Sequence, residues 1–197
     1  MATTDTSAQT LIARPQRADA RRNYEKLLAA ARDEFAQSGE ATSLEEVART
    51  AGVGIGTLYR HFPNRQALVE ALYVEEVEQV CRVAAELDDA GDPWEALSSW
   101  FERLIGYIAT KQALASELLK YVEKDSPLFT SCRALLWSAG EPLLKRAQAS
   151  GAVRPDVSIG DVIQMVVGIA KIPSSEPGQA EHLVRVALDG LRYRPQA

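Results

Sequence analysis

One stretch constrains the fold more than any other: Ser43 to Arg65, SLEEVARTAGVGIGTLYRHFPNR. Ser43 is placed to cap a helix, with Glu46 three residues on to close a capping box. Leu44, Val47 and Ala48 recur at helical spacing. Ala51-Gly52-Val53 breaks that helix, and Gly52 suits the left-handed position just past its end. Ile55, Leu58, Tyr59 and Phe62 supply the buried or half-buried face of the next helix. Pro63 can open a further helix at its first turn. Two short helices joined by a glycine-containing turn form a helix-turn-helix, a unit whose second helix fits a DNA major groove.

The surrounding sequence predicts an all-α chain. Tyr24, Leu27, Leu28, Ala31 and Phe35 lie on one helical face, predicting a first helix over about 21–38 that Ser38-Gly39 ends. Leu68, Leu72, Val77, Val80, Val83 and Ala84 mark the inner side of a long helix from about Pro63 to Leu87, which can act as a lever between two functional units. Asp88 to Pro93 is a break and the expected domain boundary. Beyond it come a stripe from Trp94 to Ile108, another from Leu114 to Val122, and a helix opened by Asp125-Ser126-Pro127 that runs to about Ala149. A helix begins at Ser158, and a last one carries Leu183, Val184, Ala187, Leu188 and Leu191. Nothing alternates with period two over a useful length, so no sheet is expected.

Charge is uneven. The chain carries −5 overall, yet residues 14–32 hold six basic side chains against two acidic, while residues 66–197 hold 13 against 19. A basic front on an acidic body suits a protein that meets phosphate with one face. Residues 1–20 read as a flexible arm in which Arg14, Arg17, Arg21 and Arg22 can track phosphates or enter a minor groove; a solvated tail is the plainer reading. The start, MATTDTSAQTLIARPQR, lacks the apolar core of a signal peptide, and no run approaches the ~18 apolar residues of a membrane span. Cys81 and Cys132 stand far apart in no metal-type spacing, as expected of reduced thiols in a cytoplasmic protein. No metal site, cofactor or catalytic constellation is expected. The glycines at 52, 54 and 56 have the wrong spacing for a dinucleotide loop. His182 reads as a surface or interface residue.

Residues 21 to about 80 closely resemble the N-terminal domain of the TetR family of bacterial transcriptional regulators. The resemblance is carried by ATSLEEVA at 41–48, Ala51-Gly52-Val53, Thr57-Leu58-Tyr59-Arg60-His61-Phe62, Asn64-Arg65 and Leu68. Residues 81–197 look like that family's helical ligand-binding and dimerisation domain. Asp92-Pro93-Trp94-Glu95-Ala96-Leu97 and Gly151-Ala152-Val153-Arg154-Pro155-Asp156 resemble its SbtR-like subgroup. The resemblance implies a three-helix DNA-binding domain over 21–80 with its helix-turn-helix at about 43–62.

DNA contacts are carried over position by position. Ser43, Thr57, Tyr59 and His61 match phosphate-backbone positions. Asn64 stands beside them, and Arg65 stands where the family usually has Lys. Gly54, Ile55, Gly56 and Arg60 match positions facing base edges. With Gly54 and Gly56 bare, direct readout would fall on Thr57, Arg60 and an apolar contact from Ile55. The implied protein is a homodimeric repressor released from a palindromic double-stranded operator by a small-molecule effector, with no membrane partner. The alternatives are an adaptor that keeps the helix-turn-helix as scaffold, or a helical enzyme, for which no residues qualify. Tyr107, Tyr121, Trp137 and Gln164 are candidate pocket walls. Glu117 and Arg133 can serve as a charged anchor, though a salt-bridged surface is the default for both. Ile163, Val166, Val167, Leu183, Leu188 and Leu191 are the expected dimer face.

Overall fold

The structure, a computed structural model, describes residues 12–88, 91–172 and 178–192. These form eight α-helices and one 3-10 turn: α1 (Ala18–Ser38), the turn Gly39–Ala41, α2 (Leu44–Thr50), α3 (Ile55–His61), α4 (Arg65–Asp88), α5 (Pro93–Leu118), α6 (Pro127–Ala149), α7 (Ile159–Ala170) and α8 (Gln179–Asp189). The described residues contain no strand; one antiparallel bridge pairs Val153 with Arg192. The all-α expectation holds.

The chain divides into two compact units. The first takes the described residues as far as Val74 and, in addition, Ala113–Ser131; the second takes Glu75–Gln112 and the described residues from Cys132 onward.

In the first unit, α1, α2 and α3 pack on one another. Tyr24, Leu27, Leu28, Ala31 and Phe35 of α1 are buried, as their spacing predicts, and they meet Val47, Leu58 and Phe62 in the same core. The amino end of α4 adds Leu68, Val69, Leu72 and Tyr73. The far end of α5 adds Leu114 and Leu118, and the first turn of α6 adds half-buried Phe129, whose ring stands edge-on to Tyr73 at 5.2 Å. Helix α1 starts at Ala18, so the last three residues assigned to the arm are helical; residues 1–11 of that arm lie outside the described residues.

In the second unit the core is Val77, Val80, Leu97, Trp100, Phe101, Leu104, Leu136, Leu143, Val162 and Val166. The Trp100 indole N–H donates to the Val80 carbonyl at 3.0 Å, so a large side chain is buried without stranding its one donor. Gly140 lies against that indole: a Cβ there would stand 2.4 Å from the ring. Ser158 caps α7 in a complete capping box with Asp161. The two stripes expected between Trp94 and Val122 are largely one helix, α5, because nothing between Ile108 and Leu114 breaks it. Both cysteines are free. Burial and Glu78, against the opposing pull of Arg82, push the Cys81 thiol up to about 11.

Candidate nucleic-acid interface

Local chemistry builds the helix-turn-helix. The Ser43 hydroxyl oxygen accepts the Glu46 N–H at 3.1 Å and caps α2. The Glu46 carboxylate meets that hydroxyl at 3.3 Å, so the reciprocal arm of the expected box runs to the side chain. Gly52 has φ +66°, the left-handed conformation that ends α2. The Val53 N–H then donates back to the Ala48 carbonyl at 3.0 Å. Gly54, extended, opens α3: its carbonyl accepts from the N–H groups of Thr57 and Leu58.

Helix α3 is anchored by one side. Leu58 is fully buried and Phe62 follows it inward. The opposite side carries Ile55, Gly56, Tyr59 and Arg60, all exposed, with Thr57 and His61 half-buried at its edges. Ile55 is 39% exposed and Tyr59 is 45% exposed. A short helix that presents an aliphatic, an aromatic and a guanidinium side chain together has more on its surface than solubility requires. Gly54 and Gly56 meet nothing within 4 Å of where a Cβ would stand, and neither has a positive φ.

The His61 ring lies 6.0 Å from Tyr24 and 6.2 Å from Phe62. Burial, and then the charge of Arg60, hold its pKa below the ordinary 6.5, so at neutral pH the imidazole is uncharged and offers one N–H donor. The Asn64 side-chain oxygen accepts from the Ala67 N–H at 2.8 Å and so helps to cap α4. On the arm side, Arg17, Arg21 and Arg22 are exposed, Arg14 is half-buried, and Arg22 pairs with Asp19.

Arg65 differs from the expectation of an outward phosphate contact. Its Nε donates to Glu117 Oε1 at 2.6 Å, its Nη1 donates to the Thr42 carbonyl, and its guanidinium sits 4.9 Å from the Phe35 ring centroid. Glu117 also accepts from Lys120 Nζ at 2.8 Å and the Tyr121 hydroxyl at 3.2 Å. Burial pushes its carboxyl up, but the hydrogen bonds from Lys120 and Arg65, with their charges, outweigh this and hold the pKa below the ordinary range. The default reading of Glu117 as a salt-bridged surface residue is half right: it is salt-bridged and buried. Sequence reasoning missed the Arg65–Glu117 pairing because 52 residues separate the partners and no local pattern joins them.

The other expected sites fare differently. Tyr107 is buried in the core of the second unit, Trp137 is 39% exposed, and Gln164 is exposed. Tyr121 belongs to the first unit, where it serves Glu117. Arg133 is exposed. Much of the expected dimer face is covered within the chain itself. Ile163, Val166, Leu188 and Leu191 are buried by their own chain and have little surface to give a partner, while Val167 and Leu183 are half-buried. Among the described residues of this region, the exposed large apolar side chains are Ile172 and Val186. Helical spacing finds an apolar stripe but cannot say whether its own chain covers it. Among the described residues no group of His, Cys, Asp or Glu could hold a metal ion, and no helix is long and apolar enough to cross a membrane.

A trihelical unit whose third helix stands exposed above a capped second helix defines the class of helix-turn-helix regulators. Residues 27–72 match the family described as bacterial regulatory proteins of the tetR family, and residues 92–193 match the C-terminal domain of SbtR-like transcriptional regulators. The chain belongs to the TetR family of transcriptional regulators, with an SbtR-like C-terminal domain. It is similar to a TetR transcriptional regulator of Streptomyces coelicolor, at 40% identity and TM-score 0.76, over 86% of this chain and 98% of that one. A TetR regulator of Mycobacterium vanbaalenii is 36% identical at TM-score 0.74, over 90% and 99%. The Transposon Tn10 TetC protein of Escherichia coli is 33% identical over 86 residues, 43% of this chain and 44% of that one. The HTH-type transcriptional regulator SAR0097 of Staphylococcus aureus is 28% identical over 115 residues, and the match spans 60% of its length. Three of these relatives are named as regulators, and members of the TetR family bind DNA operators; the chain is a regulator and not an enzyme.

Proposed function

We propose that the chain is a cytoplasmic homodimeric repressor that holds a palindromic operator through α3 of each copy and is released by a small molecule bound in its C-terminal half. The observation that carries this reading is the outward face of α3, where Ile55, Tyr59 and Arg60 stand exposed beside half-buried Thr57. Ser43 at the start of α2 and His61 at the end of α3 flank that face with donors suited to phosphate. In this reading the DNA-binding domain is residues 21–80 and the ligand-binding and dimerisation domain is residues 81–197. Two copies would place their α3 helices in major grooves about 34–36 Å apart.

Helix α4 contributes to both compact units and is the natural lever between effector and DNA. An effector acts only through a difference in affinity between the two head arrangements, commonly about 1–3 kcal/mol. Fluorescence anisotropy with tiled duplexes from DNA flanking its own gene tests the reading. Binding should saturate at one dimer per palindrome, and Thr57→Ala should weaken it. Wild-type protein that binds no tile above its level on random duplex would sink the proposal.

A further inference from the structure

Arg65 stands at the start of α4, where the family resemblance implies a cation on phosphate, yet its charge is committed elsewhere. Nε binds Glu117, Nη1 binds the Thr42 carbonyl, and the flat face lies on Phe35. The side chain is 22% exposed and that of Glu117 is 4% exposed. A guanidinium used along both edges and stacked on a ring must give up all three contacts to reach a phosphate.

Each contact reaches a different piece of the reading head. Phe35 belongs to the last turns of α1. Thr42 immediately precedes Ser43, the cap of α2, and is itself buried, with its hydroxyl donating to the Glu34 and Gly39 carbonyls. Glu117 belongs to the last turn of α5, in the segment matched by the C-terminal family model, while Arg65 lies in the segment matched by the N-terminal one. Of Glu117's other partners, Lys120 and Tyr121 lie within four residues of it and cannot tie it to another element. Arg65 is the partner that can.

Resting on the regulator reading above, we propose that Arg65 is a positioning residue held off the DNA by Glu117, and that the pair makes the setting of Thr42 and Ser43 depend on the last turn of α5. Any displacement of that turn then reaches the start of α2 through one side chain.

The test is operator affinity against salt for wild type, Arg65→Gln, Arg65→Lys, Glu117→Gln and the double Arg65→Gln/Glu117→Gln, using the flanking-DNA tile that wild type binds. A phosphate contact contributes about one to the slope of log affinity on log salt. The expected result is that Arg65→Gln and Glu117→Gln each weaken binding about tenfold with the wild-type slope, and that the double is no worse than either single. Arg65→Lys should not restore affinity, because an ammonium has no flat face to lie on Phe35 and no rigid fork to hold both acceptors in place. Two results would overturn the proposal: a slope reduced by about one in Arg65→Gln while Glu117→Gln binds as well as or better than wild type, or wild-type affinity in every variant. If Arg65→Gln is unfolded by circular dichroism at assay temperature, Glu117→Gln decides alone: unchanged or improved affinity overturns the proposal. Wild-type protein that binds no tile would instead overturn the regulator reading on which this one stands.

Discussion

Tyr59 and Arg60 are neighbours with separate work on one exposed face, and they can be told apart by measurement. Neither is part of the core, so Tyr59→Ala and Arg60→Ala should leave the urea midpoint within about 0.5 kcal/mol of wild type. On DNA the two should diverge. Tyr59→Ala, at what we propose is a phosphate-backbone contact, should weaken all operator variants alike. Arg60→Ala should cost about 1–3 kcal/mol and relax the preference at one base pair. Glu117 gives a prediction in pH. Its folded-state pKa is depressed below the ordinary 4.5, so its contribution to stability is fully present above that value and is lost as pH falls through the lower folded one. Wild type should therefore lose stability on acidification below about pH 5 more steeply than Glu117→Gln, as urea titrations across pH would show.

Helices were the most legible part of the sequence, and for a physical reason. Caps and breaks are local: Ser43, Gly52, Ser158 and Pro127 act on residues within four positions, so their effect can be read without the fold. Core stripes of α1 and α4 were legible for the same reason. What the periodicity could not reveal was which apolar stripe a neighbouring helix already covers, as at Ile163 and Leu188, or which distant carboxylate a cation meets, as at Arg65. Packing of α6 against α5 was equally hidden. Gly140→Ala places a methyl where the Trp100 ring lies, and should destabilise the chain by about 1–3 kcal/mol in urea unfolding, despite the better helix propensity of Ala. Gly56 in α3 is the opposite case. It has open space, so Gly56→Ala should gain up to about 1 kcal/mol in the same measurement.

For the molecule as a whole, the dimer proposed above directs attention to the surface that α7 and α8 leave uncovered. These two helices pack together and bury Ile159, Val162, Ile163, Val166, Val184 and Leu188 within the chain, but Val186 is 57% exposed, and Ile172 just after α7 is 50% exposed. If this surface lies in the dimer, Val186→Glu should shift the sedimentation coefficient toward monomer and lower operator affinity, while circular dichroism stays unchanged. A dimer that survives this substitution would be built on another face.

The bare glycines of α3 carry a consequence for how such a head changes its target. A recognition helix crowded with base-reading side chains must lose an old contact before it gains a new one. Here positions 54 and 56 are unoccupied ground: neither has a strained backbone, and nothing stands where a side chain would grow. A new residue at either site is an addition to the binding code with no loss from it. If α3 reads the operator as proposed, a regulator of this form would start from tolerance of many related operators and could be narrowed one side chain at a time.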